Sequence, residues 1–165
     1  SGGEPFLRSD LVQIVELACR HLTPGVIHIP TNGLAGELIE KRVEEILRVI
    51  EAWNPGVQLT VKPSIDHVGE KHDQIRGVPG NFQKVMTLFQ RLKALKESHP
   101  HFHAELGTVI SKWNVKDIEE IEDEQMDAES MSEYDAFPHI FDHLATPKAV
   151  YQLDLTTPGK LPLSA

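Results

Sequence analysis

The chain has 165 residues, of which 40% are hydrophobic, 25% charged and 6% aromatic, with 11 Gly and 11 Pro. That is enough apolar material for one globular domain with a sizeable core, and it excludes a disordered, collagen-like or low-complexity chain. Its 16 basic and 25 acidic residues give a net charge of −9, but eight of the acids crowd into residues 117–129, so the remainder is nearly neutral.

No basic stripe offers a footprint for nucleic acid. No apolar run approaches the ~20 residues a membrane span needs, and Ser1-Gly2-Gly3-Glu4-Pro5 lacks the basic and apolar regions of a signal peptide. One cysteine, Cys19, cannot form an internal disulfide. The expected setting is therefore reducing and cytoplasmic.

In chain order, Leu11, Ile14, Val15, Ala18 and Leu22 recur at helical spacing, with Ser9 or Asp10 placed to cap and Gln13 three residues after Asp10. Pro24-Gly25 ends that helix, and Val26-Ile27-His28-Ile29-Pro30 reads as a short buried strand closed by Thr31-Asn32-Gly33. Ile39, Val43, Ile46, Leu47 and Ile50 form the apolar stripe of a second helix, stopped by Asn54-Pro55-Gly56. Residues 57–62 alternate as a strand. Residues 63–80 read as a Gly-, His- and charge-rich loop, long for a simple connection. A third helix carries Phe82, Val85, Met86, Phe89, Leu92 and Leu95 on one face, and residues 102–110 are expected to be its partner strand. Beyond Asn114, residues 115–131 suit an acidic helix, 138–144 a helical turn, 149–155 a last strand and 156–165 a linker or tail. Alternation of strands and helices predicts an α/β fold with a parallel sheet and right-handed crossovers.

In such sheets ligands gather beyond the carboxyl ends of the strands. Four polar clusters fall at such ends: Gly2-Gly3-Glu4-Pro5, Thr31-Asn32-Gly33, Ser64-Ile65-Asp66, and Ser111 with Asn114. Each is also ordinary turn chemistry; their shared placement is what points to a site. Ser1-Gly2-Gly3-Glu4-Pro5-Phe6-Leu7 resembles the second-strand GGEP motif of radical S-adenosylmethionine (radical SAM) enzymes. Thr31-Asn32-Gly33 resembles the end of their third strand. Ser64-Ile65-Asp66-His67-Val68-Gly69-Glu70-Lys71-His72-Asp73-Gln74-Ile75-Arg76-Gly77 is similar to the fourth-strand stretch of a subgroup with peptide-modifying and cofactor-maturation members, and Thr108-Val109-Ile110-Ser111 with Asn114 to the fifth. The likeness runs from Ser1 to about Ile121.

The resemblance implies a partial TIM-type (β/α) barrel domain over residues 1–155. Gly2, Gly3 and Glu4 would meet the amino group of SAM, and Ser64 and Arg76 its carboxylate. Asn32 and Ser111 would lie near the ribose, and Val109 and Ile110 near the adenine. Without the family, Arg76 reads as an ion pair with Asp73 or Glu70. The family reductively cleaves SAM at a [4Fe–4S] cluster, giving a 5′-deoxyadenosyl radical that abstracts hydrogen from a substrate, here an unidentified peptide or small molecule. Its C-x3-C-x2-C cluster loop precedes GGEP and is missing from this chain, where Cys19 lies on a helical stripe. The expectation is therefore a domain lacking its first βα unit, inactive alone and prone to self-association through an exposed sheet edge. The alternatives are a non-catalytic SAM-binding or interaction domain, or an unrelated small-ligand α/β enzyme.

Other residues suggest less. His99, His101 and His103 alternate as strand ligands would, though Pro100 favours a turn. His139 and His143 lack the glutamate of a zinc H-E-x-x-H site. Trp53 and Trp113 are expected to anchor packing, and the acidic block to be a solvated face or a docking surface for a basic partner.

Overall fold

The computed structural model describes residues 3–130, and its elements belong to one unit that begins at Glu4. Their order is a 3-10 turn (Pro5–Leu7), α1 (Leu11–His21), β1 (Val26–Thr31), α2 (Gly36–Trp53), β2 (Gln58–Pro63), α3 (Gly69–Arg76), α4 (Asn81–Leu95), β3 (Phe102–Ala104), a second 3-10 turn (Val115–Asp117) and α5 (Ile118–Ser130). Expectations for residues 131–165, with His139 and His143, lie outside the described residues.

The three strands form one parallel sheet in the order β1-β2-β3, with Ile27 opposite Leu59 and Leu59 opposite Phe102. The α/β class and parallel sheet expected from the sequence are present. Of the partial barrel, the described residues hold an open three-stranded sheet. Leu59, Thr60 and Val61 of β2 are all buried, as a central parallel strand should be. β1 instead alternates, with Val26, His28 and Pro30 exposed and Ile29 and Thr31 buried, which corrects the short buried strand expected there.

The stripe of α2 is buried as expected: Ile39, Val43, Ile46, Leu47 and Ile50 join Leu11, Val15 and Cys19 of α1 beneath Leu59, Val61 and Phe102. Each such side chain contributes about 1.5–3 kcal/mol when fully buried. Leu22, placed on the α1 stripe by spacing, lies beyond the helix and is exposed. The cap expected from Asp10 is also absent: its side chain caps nothing and pairs with Arg8 instead.

The stretch read as a loop at 63–80 contains α3. Its only buried side chain is His72, so no apolar stripe announces it. The helix is closed by Gly77 in the left-handed region (φ 68°), whose N–H returns to the Gln74 carbonyl while that of Val78 returns to Asp73. Asp73 then starts the next helix, its carboxylate accepting the N–H groups of Gly80 and Phe82 at the head of α4. These bonds hold the Asp73 carboxyl below the usual carboxylate range.

The strand expected over 102–110 is short, ending at Ala104, with one further bridge between Ser64 and Gly107. The acidic segment forms α5. It packs Ile121 and Ala128 against Ile65, Val85, Phe89 and Leu106, and Lys93 donates to the Ala128 carbonyl near its C-terminal end.

Candidate functional site

The carboxyl ends of the strands are stitched together by main-chain bonds. The Ser64 N–H donates to Thr31 O at 2.9 Å, Ile65 N–H to Gly107 O at 2.9 Å and Gly107 N–H to Pro63 O at 2.9 Å. Beside the end of β1, Glu4 accepts the N–H of Phe6 on Oε1 (3.2 Å) and that of Asn32 on Oε2 (2.7 Å). Asn32 turns its own Oδ1 to the Leu34 N–H. The polar clusters around Glu4, Asn32 and Ser64 thus meet along one edge of the sheet. Gly3 has φ 123°, in the region that favours glycine. Gly2 lies outside the described residues.

A second layer surrounds Asp66. Its N–H donates to Nδ1 of His72 at 3.0 Å, and its carbonyl accepts from Nδ2 of Asn114 at 2.9 Å. Both of those side chains are buried. Oδ2 of Asp66 lies 2.7 Å from Nε of Arg76, on the last turn of α3; the side chains are 15% and 29% exposed. The Nε–H is not aligned on that oxygen, so the contact is ionic rather than a formed hydrogen bond. The partner of Arg76 is Asp66, not the Asp73 or Glu70 expected from sequence proximity.

Asn114 also gathers the following loop: its Nδ2 donates to Val109 O and its Oδ1 accepts the Ser111 N–H at 2.7 Å. Ser111 is thereby fixed. Val109 and Ile110 are 70% and 61% exposed, an apolar step beside the polar edge.

No spacing or periodicity singles out His67 in the sequence. It is buried, and its Nε2 lies 3.0 Å from Oδ2 of Asp117, with Glu120 close enough for all three to face one ion. Two features oppose a cation. Nδ1 of His67 accepts the Val68 N–H at 2.7 Å, so in the neutral ring Nε2 carries the proton and donates to Asp117. Lys71 Nζ stands 3.3 Å from Glu120 and 4.0 Å from Asp117, already supplying positive charge. The His67 bond is the main cause holding the Asp117 carboxyl below its usual range, with Lys71 adding to it. The arrangement ties α3 to α5.

The remaining candidates separate. His99 faces Glu51 at 3.6 Å, and burial pulls the His103 imidazole below its usual range; the alternating histidines form no ligand cluster among the described residues. Trp53 and Trp113 are 50% and 67% exposed, which corrects their assignment as packing anchors; they lie under Arg20 and Lys112. Cys19 is buried as expected, and burial raises its thiol pKa. One buried thiol does not fit a [4Fe–4S] cluster, which needs three or four thiolates. A carboxylate-bearing ligand fits better, because the half-buried Arg76 has no partner among the described residues for Nη1 or Nη2. Two concavities among the described residues lie away from Arg76. One, lined by Arg20, His21 and Trp53, opens where α1 and α2 end; the other lies between Gly33, Leu34 and α4. No helix among the described residues is long and apolar enough to cross a membrane.

No known family profile matches the chain, and no solved structure matches it. Over 123 residues it is 32% identical to an AdoMet-dependent heme synthase of Methanosarcina barkeri, a stretch covering 72% of this chain and 30% of that protein. The chain thus spans about a third of the length of the relative it matches. The similarity supports the radical SAM resemblance in general and says nothing of individual site residues.

Proposed function

We propose that this chain is the SAM-cradling portion of a radical SAM enzyme. The observation that carries the reading is the Arg76 guanidinium, half-buried next to the carboxyl end of β2 with four N–H donors uncommitted among the described residues. The similarity to an AdoMet-dependent protein supports the same ligand.

In this reading Arg76 and the Ser64 hydroxyl hold the methionyl carboxylate, a match between a planar fork and a planar anion. Glu4 offers its carboxylate to the ammonium, the group to which the resemblance also assigns Gly2 and Gly3. Glu4 spends one acceptor site on each of two amides and keeps about two more. Asn32 and Ser111 border the ribose, and Val109 and Ile110 offer apolar surface to the adenine. SAM in such enzymes supplies a 5′-deoxyadenosyl radical for hydrogen abstraction, chemistry that belongs to the cofactor. The residues of this chain bind and orient it. They do not ligate the cluster, so any cluster ligands are supplied from elsewhere. A second reading, a SAM-binding domain without redox chemistry, is favoured by the single buried Cys19.

Calorimetric titration with SAM tests the site. Arg76→Ala should weaken binding by about 1.5–3 kcal/mol, and Ser64→Ala by about 0.5–1.5 kcal/mol. An unchanged dissociation constant in both variants would move the carboxylate site elsewhere.

A further inference from the structure

We propose that Asp66 is a positioning residue, holding the Arg76 guanidinium at Nε so that Nη1 and Nη2 stay available to the carboxylate of the ligand. The inference rests on the SAM reading and deepens it. The backbone of Asp66 is fixed on both sides of its Cα, by His72 Nδ1 on its N–H and by Asn114 Nδ2 on its carbonyl. Those side chains are 0% and 1% exposed and come from α3 and from the turn that precedes α5. Such an anchor is more than an incidental ion pair requires. The carboxylate it presents meets only Nε, at 2.7 Å.

A guanidinium carries five N–H donors, four of them on Nη1 and Nη2, and it is the Nε side of the group that lies against Asp66. Nη1 and Nη2 meet no described residue, and only Nε is fully enclosed, so the paired Nη groups are open to an incoming ligand. Nε points to the side of the fork, and the paired Nη groups are one of the faces that bind a carboxylate bidentately. With Asp66 in place the side chain loses much of its torsional freedom before ligand arrives, which lowers the cost of ordering it on binding.

The sign of one substitution separates this role from its rivals. Asp66→Asn keeps the shape and removes a negative charge close to the anion site. If Asp66 only screened Arg76, the variant would bind SAM more tightly. If Asp66 positions Arg76, binding weakens about 5- to 20-fold, the size of a partly lost charged hydrogen bond. Calorimetry on parent and variant with SAM and with decarboxylated SAM reads this directly. The parent should prefer SAM, and Asp66→Asn should lose most of that preference at an unchanged melting temperature. A parent that binds both ligands equally, or neither, overturns the carboxylate reading and this inference with it. A parent that discriminates while Asp66→Asn discriminates equally, or binds more tightly, overturns the positioning role alone. Should the variant not fold, the parent still decides. The Arg76 Nε–H signal in nitrogen-edited NMR should be resolved and slow to exchange with solvent, and one averaged with the exposed arginines would overturn the proposal.

Discussion

Oε2 of Glu4 accepts the Asn32 N–H at 2.7 Å, joining residues 28 apart in sequence and fastening the 3-10 turn of Pro5–Leu7 to the carboxyl end of β1. Oε1 accepts the Phe6 N–H, so one carboxylate organises both the turn and the strand end. A glutamine there has one acceptor oxygen in place of two. Glu4→Gln should leave one amide without its partner and cost about 1 kcal/mol, since the site is only partly buried. Thermal denaturation checks this, and a shift below about 1 °C would show that water replaces the lost bond.

Much of the fold was legible because apolar periodicity carries it. The α2 stripe is legible at every position, since Ile39, Val43, Ile46, Leu47 and Ile50 all meet the core. Helix α3 was illegible for the opposite reason: it buries one histidine, and its polar remainder reads as loop. The β3 strand was overextended because Leu106 is buried without being in a regular strand. At the site, the clusters at Glu4, Asn32, Ser64, Asp66 and Asn114 were visible as polar breaks after strands. Their partners were not. His72 and Asn114 reach Asp66 from positions 6 and 48 residues away, and no periodicity encodes such a convergence. The exposed Trp53 and Trp113 show the converse error, large aromatics assigned to packing by size alone.

Gly33 should resist substitution. Its φ is 72°, and a Cβ there would stand 2.7 Å from Val85 Cγ2 and 3.2 Å from Val85 Cα. The left-handed conformation costs an L residue about 1–2 kcal/mol, and overpacking adds about 1–3 kcal/mol. Gly33→Ala is therefore expected to destabilise by about 2–5 kcal/mol in urea unfolding. Gly33→Ala with Val85→Ala should recover less than the steric part, because the backbone strain remains and a cavity opens. Full recovery in the double variant would show that strain contributes nothing.

Stability should fall on mild acidification. Burial is the main cause that pulls the His72 pKa below its usual value, with the Arg76 charge adding, while Asp66 and Asp73 oppose and His67 assists. The folded state therefore holds His72 neutral at a pH where the unfolded chain, titrating near about 6.5, binds a proton. The stabilisation is full above the unfolded value and is lost as pH falls through the folded one. Protonation would also place a proton on Nδ1, opposite the Asp66 N–H it now accepts. His103 is lowered by burial in the same direction. Melting temperature should thus decline from about pH 6.5 downward, and His72→Phe should flatten part of that slope. Asp73 and Asp117, both lowered by hydrogen bonds, add a further loss only below the ordinary carboxylate range of about pH 4. An unchanged slope between pH 7 and 5 in His72→Phe would contradict the assignment.

Cys19 should behave as packing rather than as a reactive thiol. It is 3% exposed among Leu11, Val15 and the α2 stripe, and its pKa is raised by burial, so little thiolate forms at neutral pH. Modification by a disulfide reagent should be slow in the native chain and track the unfolded population as urea is added. Cys19→Ala should cost about 1 kcal/mol, as for loss of a small buried apolar group. For the same reason, anaerobic incubation with iron and sulfide should leave the monomeric chain without a stoichiometric cluster, whose three or four thiolates one buried cysteine cannot supply. Rapid native-state labelling would show that α1 opens far more readily than its packing implies, and cluster absorbance on monomer would show that residues other than cysteine complete the ligand set.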